Sequence, residues 1–244
     1  MKKFYLYILF CLVLIPSPSF AMKNDVLVSS ETKYYKTIYE SDSNVFVLSN
    51  VVDKTIEISE QEYNNAQTEI DMIASSTQQT DYKKMTASIY SSGNNYKYQV
   101  NLEWKNIPKV RSNDIIGIGY SSEFVNIVDG ISFFQNFCTS DGCKSSIKHE
   151  LINSPAGKSA VFSLPTSTLT YLSQELSFKV AKKNSGVINT QKISADYSHA
   201  TKSISMTNAK KHKVNYDNGI VLSKGISSYY DSIPVTKTTW TGSW

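Results

Sequence analysis

The chain has 244 residues, 41% of them hydrophobic and 19% charged, with a formal net charge of +4. So small a charge supplies no clustered basic stripe for nucleic acid. The single arginine among 25 basic residues, Arg111, leaves little equipment for bidentate phosphate or carboxylate recognition.

The first elements in chain order are signals of address. Lys2 and Lys3 precede an apolar run from Phe4 to Ile15, then Pro16-Ser17-Pro18 and the small residues Ser19 and Ala21. This is the layout of a secretory signal peptide over 1–21, cleaved after Ala21. The apolar run is too short to span a bilayer, which takes roughly 20 residues. Loss of Lys2 and Lys3 takes the formal charge from +4 to +2 (4 − 2). It also leaves two cysteines of three, because Cys11 goes with the segment. An exported, extracellular protein is the expectation.

Residues 22–81 are expected to form an N-terminal arm and one amphipathic helix, and residues 82–244 a β-domain. Tyr34, Tyr35 and Tyr39 stand in a polar background that suits an extended arm, and Val45–Val52 is its apolar patch. Over Thr55–Ser76 the pattern turns helical. Ser59 and Glu62 make a capping box, and Tyr63, Ala66, Ile70, Ile73 and Ala74 recur at helical spacing.

From Tyr82 onward the period is two. Met85–Tyr90 and Tyr96–Trp104 read as a hairpin with a five-residue loop over Ser91–Asn95. In the second run Tyr96, Tyr98, Val100, Leu102 and Trp104 share one face and Lys97, Gln99, Asn101 and Glu103 the other. Asp114–Tyr120 places Ile116, Ile118 and Tyr120 opposite Ile115, Gly117 and Gly119. Glycine inside a strand marks a bulge or a close approach by another part of the chain. Further strands are expected over Phe124–Val128, Ile131–Phe137, Ile147–Ile152, Ser159–Leu164, Thr170–Ala181 and Val187–Tyr197, with weaker ones at Lys202–Thr207 and Gly219–Ser223. Many short strands and no βαβ rhythm predict a mainly β protein, an antiparallel β-sandwich or jelly roll preceded by one amphipathic helix. Cys138 and Cys143, separated by Thr-Ser-Asp-Gly, read as a disulfide tying the base of a turn.

Chemistry is sparse. His149, His199 and His212 form no metal-ligand spacing, and no nucleophile elbow, phosphate loop or dinucleotide fingerprint occurs. No cofactor, metal site or catalytic residue is expected. The 16 tyrosines are the least ordinary part of the composition. The pair Tyr229-Tyr230 must show one ring outward if extended, and Trp240 and Trp244 close the chain. These four could stack on a sugar or meet a membrane interface.

The Leu102-x-Trp104 strand with Ile107-Pro108, Arg111-Ser112 and Asp114-Ile-Ile-Gly-Ile118 resembles exported proteins of Gram-positive bacteria to which no activity attaches. So do Asp196-Tyr-Ser-His-Ala-Thr-Lys202 and Tyr229-Tyr-Asp231. The likeness spans 54–244. It implies an extracellular setting and draws His199 into the set of binding candidates.

The expected function is non-catalytic binding at or near the bacterial cell surface, with a glycan or cell-wall ligand favoured and no nucleic acid. A secreted hydrolase is one alternative. The other is a pore-forming or membrane-interacting protein, because Leu176–Thr207 partly alternates like the hairpins that pore formers insert.

Overall fold

The computed structural model describes residues 25–40, 52–70, 79–121, 125–145, 148–183 and 187–242. The signal segment 1–21, most of the Val45–Val52 patch and Trp244 lie outside the described residues.

The strands run in chain order β1 (Val26–Glu40), β2 (Val52–Ile58), β3 (Gln79–Ser92), β4 (Asn95–Trp104), β5 (Asn113–Tyr120), β6 (Val125–Ile127), β7 (Ser132–Thr139), β8 (Gly142–Ser145), β9 (His149–Ser154) and β10 (Gly157–Ser163). After them come β11 (Tyr171–Lys182), β12 (Thr190–Ala200), β13 (His212–Asn215), β14 (Gly219–Leu222), β15 (Tyr230–Ser232) and β16 (Thr236–Thr241). Helix α1 (Glu60–Ile70) lies between β2 and β3, and α2 (Met206–Ala209) between β12 and β13. The larger antiparallel sheet has the order β2-β1-β3-β4-β11-β7-β8, with β6 also on β11. The smaller has the order β15-β12-β5-β10-β9, with β16 also on β12, and β13-β14 is a separate hairpin.

Period-2 patterning places the core. Val100, Leu102, Leu172 and Leu176 from the larger sheet meet Ile116, Ile118, Phe162 and Ile193 from the smaller in one buried cluster. The alternate residues of β3, β4 and β11 are the other, polar face of the larger sheet. The central strands of the smaller sheet, β5, β10 and β12, are buried on both faces. Ile115 and Val161 point away from the main core and pack under Val214 and Ile220 of the β13-β14 hairpin. This explains why β5 is buried from Asp114 to Tyr120 while β4 alternates.

A helix standing ahead of the β-structure is not what the chain forms. Two strands precede α1, Thr55–Ile58 belong to β2, and residues 71–76 lie outside the described residues. The Ser59 hydroxyl accepts the Glu62 amide at 3.1 Å. Tyr63 and Ala66 then bury against Tyr82 on the polar face of the larger sheet. The stretch read as an arm is a 15-residue strand paired along its length with β3.

Three local expectations also change. The β3-β4 loop shrinks to Gly93-Asn94, because Gly93 takes φ +63° and lets Ser92 pair with Asn95. Lys202–Thr207 is no strand. Ser205 caps α2 by accepting the Asn208 amide at 3.3 Å, and capping serine outcompetes the weak alternation there. Leu176–Thr207 is no free hairpin either, since β11 and β12 stand in different sheets with their inward faces in the core. Cys138 and Cys143 are directly opposed across β7 and β8 and joined by a disulfide.

Candidate functional site

The outward face of the larger sheet carries an open groove of about 390 Å³ that crosses β1, β3, β4 and β11. Its floor is the even-numbered face of β3 (Lys84, Thr86, Ser88, Tyr90) beside Asn101 and Glu103 of β4 and Ser173 of β11. Tyr90 lies opposite Leu27 at one end of β3, and Lys84 opposite Glu103 at the other. Tyr171 stands on the β11 side, 38% exposed. From Lys84 to Tyr90 is six strand steps, about 20 Å. That length suits an extended chain better than a single small molecule.

The groove is polar but close to neutral, with Lys84 and Glu103 4.0 Å apart. Ser30 and Ser88 share a hydrogen bond at 3.2 Å, as do Thr32 and Thr86 at 3.0 Å. Among the described residues no side-chain hydrogen bond occupies Asn101 or Ser173. Their amide and hydroxyl therefore remain available to a ligand.

The residues singled out from the sequence lie elsewhere. Tyr229 ends a single 3-10 turn, Ser227–Tyr229, and is 37% exposed. Tyr230 turns inward and donates its hydroxyl to the Asn113 carbonyl at 2.9 Å. Trp240 on β16 is partly buried with its ring 5.1 Å from that of Tyr96. His199 is fully buried. The structure makes no common surface of these four, and Trp244 is outside the described residues. Of the groove residues, the sequence placed Asn101 and Glu103 on the face of their strand away from Leu102 and Trp104, and Leu27 and Ser30 in the arm.

The interior holds the strongest polar constellation. Asp114 accepts from the Tyr197 hydroxyl, from His199 Nδ1–H at 2.9 Å and from the Ala200 amide at 2.8 Å. Asp114, Tyr197 and His199 are all 0% exposed, and the Trp104 ring meets both Tyr197 and His199 edge-on. A carboxylate, an imidazole and a phenol in this geometry could move protons. Sealed from any substrate, they instead tie β5 to β12 within the smaller sheet, with the Trp104 ring contacts reaching across from the larger one. A second pair, Ser159 Oγ and His212 Nε2 at 2.8 Å, looks like a nucleophile and its base. His212 Nδ1 donates to the Ala209 carbonyl at 2.8 Å, which leaves Nε2 to accept from the serine. Ser159 is fully buried and burial pushes the His212 pKa down, so this pair anchors α2 and the β13-β14 hairpin. Among the described residues no group of three or more metal-ligating side chains gathers.

Asp196 gives the fold a pH dependence. Burial pushes its carboxyl up to about 7, although the Ile220 and Tyr197 amides, both at 2.6 Å, pull the other way. The folded state thus holds a proton that the unfolded chain has released between about 3.8 and about 7. This contribution is full below the lower value and is lost as pH rises through the upper one, by on the order of 1 kcal/mol per pH unit. His212 acts in the opposite sense, contributing stability above its unfolded value of 6.5 and losing it as pH falls. Melting temperatures of the wild type and Asp196→Asn, compared from pH 4 to pH 8, separate the two groups. The variant is expected to lose the decline toward neutral pH, and parallel curves would show that Asp196 does not titrate there.

No protein-family model matches this chain, and no curated protein matches it. Among solved structures it is similar to a protein described as BspA_C_WT, with a TM-score of 0.31 and 9% identity over 68% of this chain and 79% of that one. It is also similar to the T6 backbone pilin of serotype M6 Streptococcus pyogenes, with a TM-score of 0.26 and 10% identity over 89% of this chain and 64% of that one. At such scores neither likeness bears on fold or function.

Proposed function

We propose that this is an exported, non-catalytic binding protein of β-sandwich architecture whose larger sheet holds an extended glycan segment of a bacterial cell wall. The observation that carries it is the open groove: near-neutral, about 20 Å long by strand geometry, flanked by Tyr90 and Tyr171 and floored by unspent hydroxyl and amide groups. Tyrosine rings offer stacking faces to sugar rings, and Ser, Thr and Asn match sugar hydroxyls. The export reading rests on the Lys2–Ala21 pattern and on a disulfide, which persists in oxidising compartments. The ligand reading needs no cofactor and no nucleic acid.

The test is co-sedimentation of the purified protein with isolated peptidoglycan and with lipid vesicles that carry a trapped dye. Pelleting with the wall and not the vesicles is expected. Tyr90→Ala with Tyr171→Ala should weaken it about tenfold or more, from the usual worth of an aromatic contact. A double alanine variant at Tyr229 and Tyr230 that weakened binding equally would move the site to the other end of the chain. Vesicle pelleting with dye release would overturn the reading in favour of a membrane-active protein.

A further inference from the structure

Three strands of the larger sheet and one of the smaller converge on a single amine. Lys83 of β3 is 0% exposed, and its Nζ lies 4.7 Å from the centroid of the Trp104 ring. It donates to Thr37 Oγ1 of β1 at 2.9 Å. The carboxylate of Asp231 on β15, itself 7% exposed, presents Oδ2 3.8 Å from Nζ. That oxygen also accepts from the hydroxyls of Thr37, at 3.3 Å, and Thr55 of β2, which lie 2.6 Å from each other.

As an ion pair this arrangement is poorly compensated. An ammonium has three N–H donors. Among the described residues only Thr37 receives one within hydrogen-bond distance. Two charges stripped of water and not in direct hydrogen-bond contact cost more than their attraction returns. An amide between the same atoms would remove both charges.

We propose that Lys83 and Asp231 condense into an intramolecular isopeptide bond that covalently ties the two sheets together. Nζ attacks the Asp231 carboxyl carbon, the C–N bond forms and the bond from that carbon to one oxygen breaks. The two protons lost from the ammonium leave with that oxygen as water, so the charges cancel and no oxidant or reductant is required. Thr37 and Thr55 form a hydroxyl relay from Nζ to Oδ2, along which both protons can pass. Fixing amine and carboxyl side by side supplies the large effective concentration that an amine and an acid lack in water. Trp104 and the buried His199, opposite Asp231 in the β12-β15 pairing, keep solvent from the pair.

The measurement is the intact mass of the full chain after reduction and denaturation, followed by peptide mapping. The wild type is expected to be lighter than its sequence by one water, about 18 Da. A branched peptide joining the Lys83 and Asp231 segments should account for the loss. Lys83→Met and Asp231→Ala should each return to the sequence mass and yield only linear peptides. A wild type at its full sequence mass would overturn the proposal whatever the variants do. So would a deficit that persisted in either variant.

Discussion

Replacing Asp114 by alanine should cost about 4 kcal/mol of folding stability. The reason lies in what remains after the carboxylate is gone. The Tyr197 hydroxyl, the His199 Nδ1–H and the Ala200 amide all end on Asp114, and none can reach water from a fully buried site. An orphaned buried donor costs about 1–3 kcal/mol, and three are created at once together with a cavity. Asp114→Asn keeps the volume and one acceptor oxygen, so about half the loss is expected. Tyr197→Phe removes a donor and not the acceptor, and should cost about 1 kcal/mol. Urea denaturation followed by tryptophan fluorescence measures all three, with Trp104 against the cluster as a local reporter. A loss below about 1 kcal/mol in Asp114→Ala would mean that the three donors find other partners and that the cluster does not hold β5 to β12.

The sequence made the strands legible where one face is wet and one is dry. Tyr96–Trp104 alternates because β4 borders the core on one side and the groove on the other, and its bounds were read to within a residue. Turn chemistry was legible at Asp141-Gly142, where the disulfide closes the hairpin as read. What escaped was strand order. Nothing in the local pattern places β11 beside β4, so the faces of Lys84, Asn101 and Ser173 could not be known to share a groove. His199 was marked, but its partner Asp114 stands 85 residues away and belongs to a neighbouring strand. Tyr229-Tyr230 was read as showing one ring outward if extended, with nothing to say which. The 3-10 turn ending at Tyr229 leaves that ring exposed and turns Tyr230 inward to the Asn113 carbonyl. Long-range pairing decided each of these, and period and propensity are silent about it.

The glycines of β5 are the case where sequence and structure meet most directly, and they carry the second large effect. Gly119→Ala should destabilise the protein by about 3 kcal/mol, toward the upper end for a forced overlap in a packed site. A Cβ at that position would overlap the Asn215 carbonyl and come within 2.6 Å of Ser194 Oγ. Backbone cannot rotate aside as a flexible side chain would, so the β13-β14 hairpin would have to lift. It cannot lift alone, because Val214 and Ile220 bury Ile115 and Val161 beneath it. Val214 also lies where a Cβ on Gly157 would come to 2.7 Å. Gly130→Ala is the matched control: nothing lies within 4 Å of its Cβ, its φ is not positive, and the change should be near neutral or slightly stabilising. Hydrogen exchange of residues 212–222, measured with the denaturation midpoint, locates the damage. Protection lost there, with β4 and β11 unaffected, is the expected pattern. Equal stabilities for Gly119→Ala and Gly130→Ala would place the hairpin somewhere other than over β5. The glycines would then have to be explained by the strand itself and not by what lies against it.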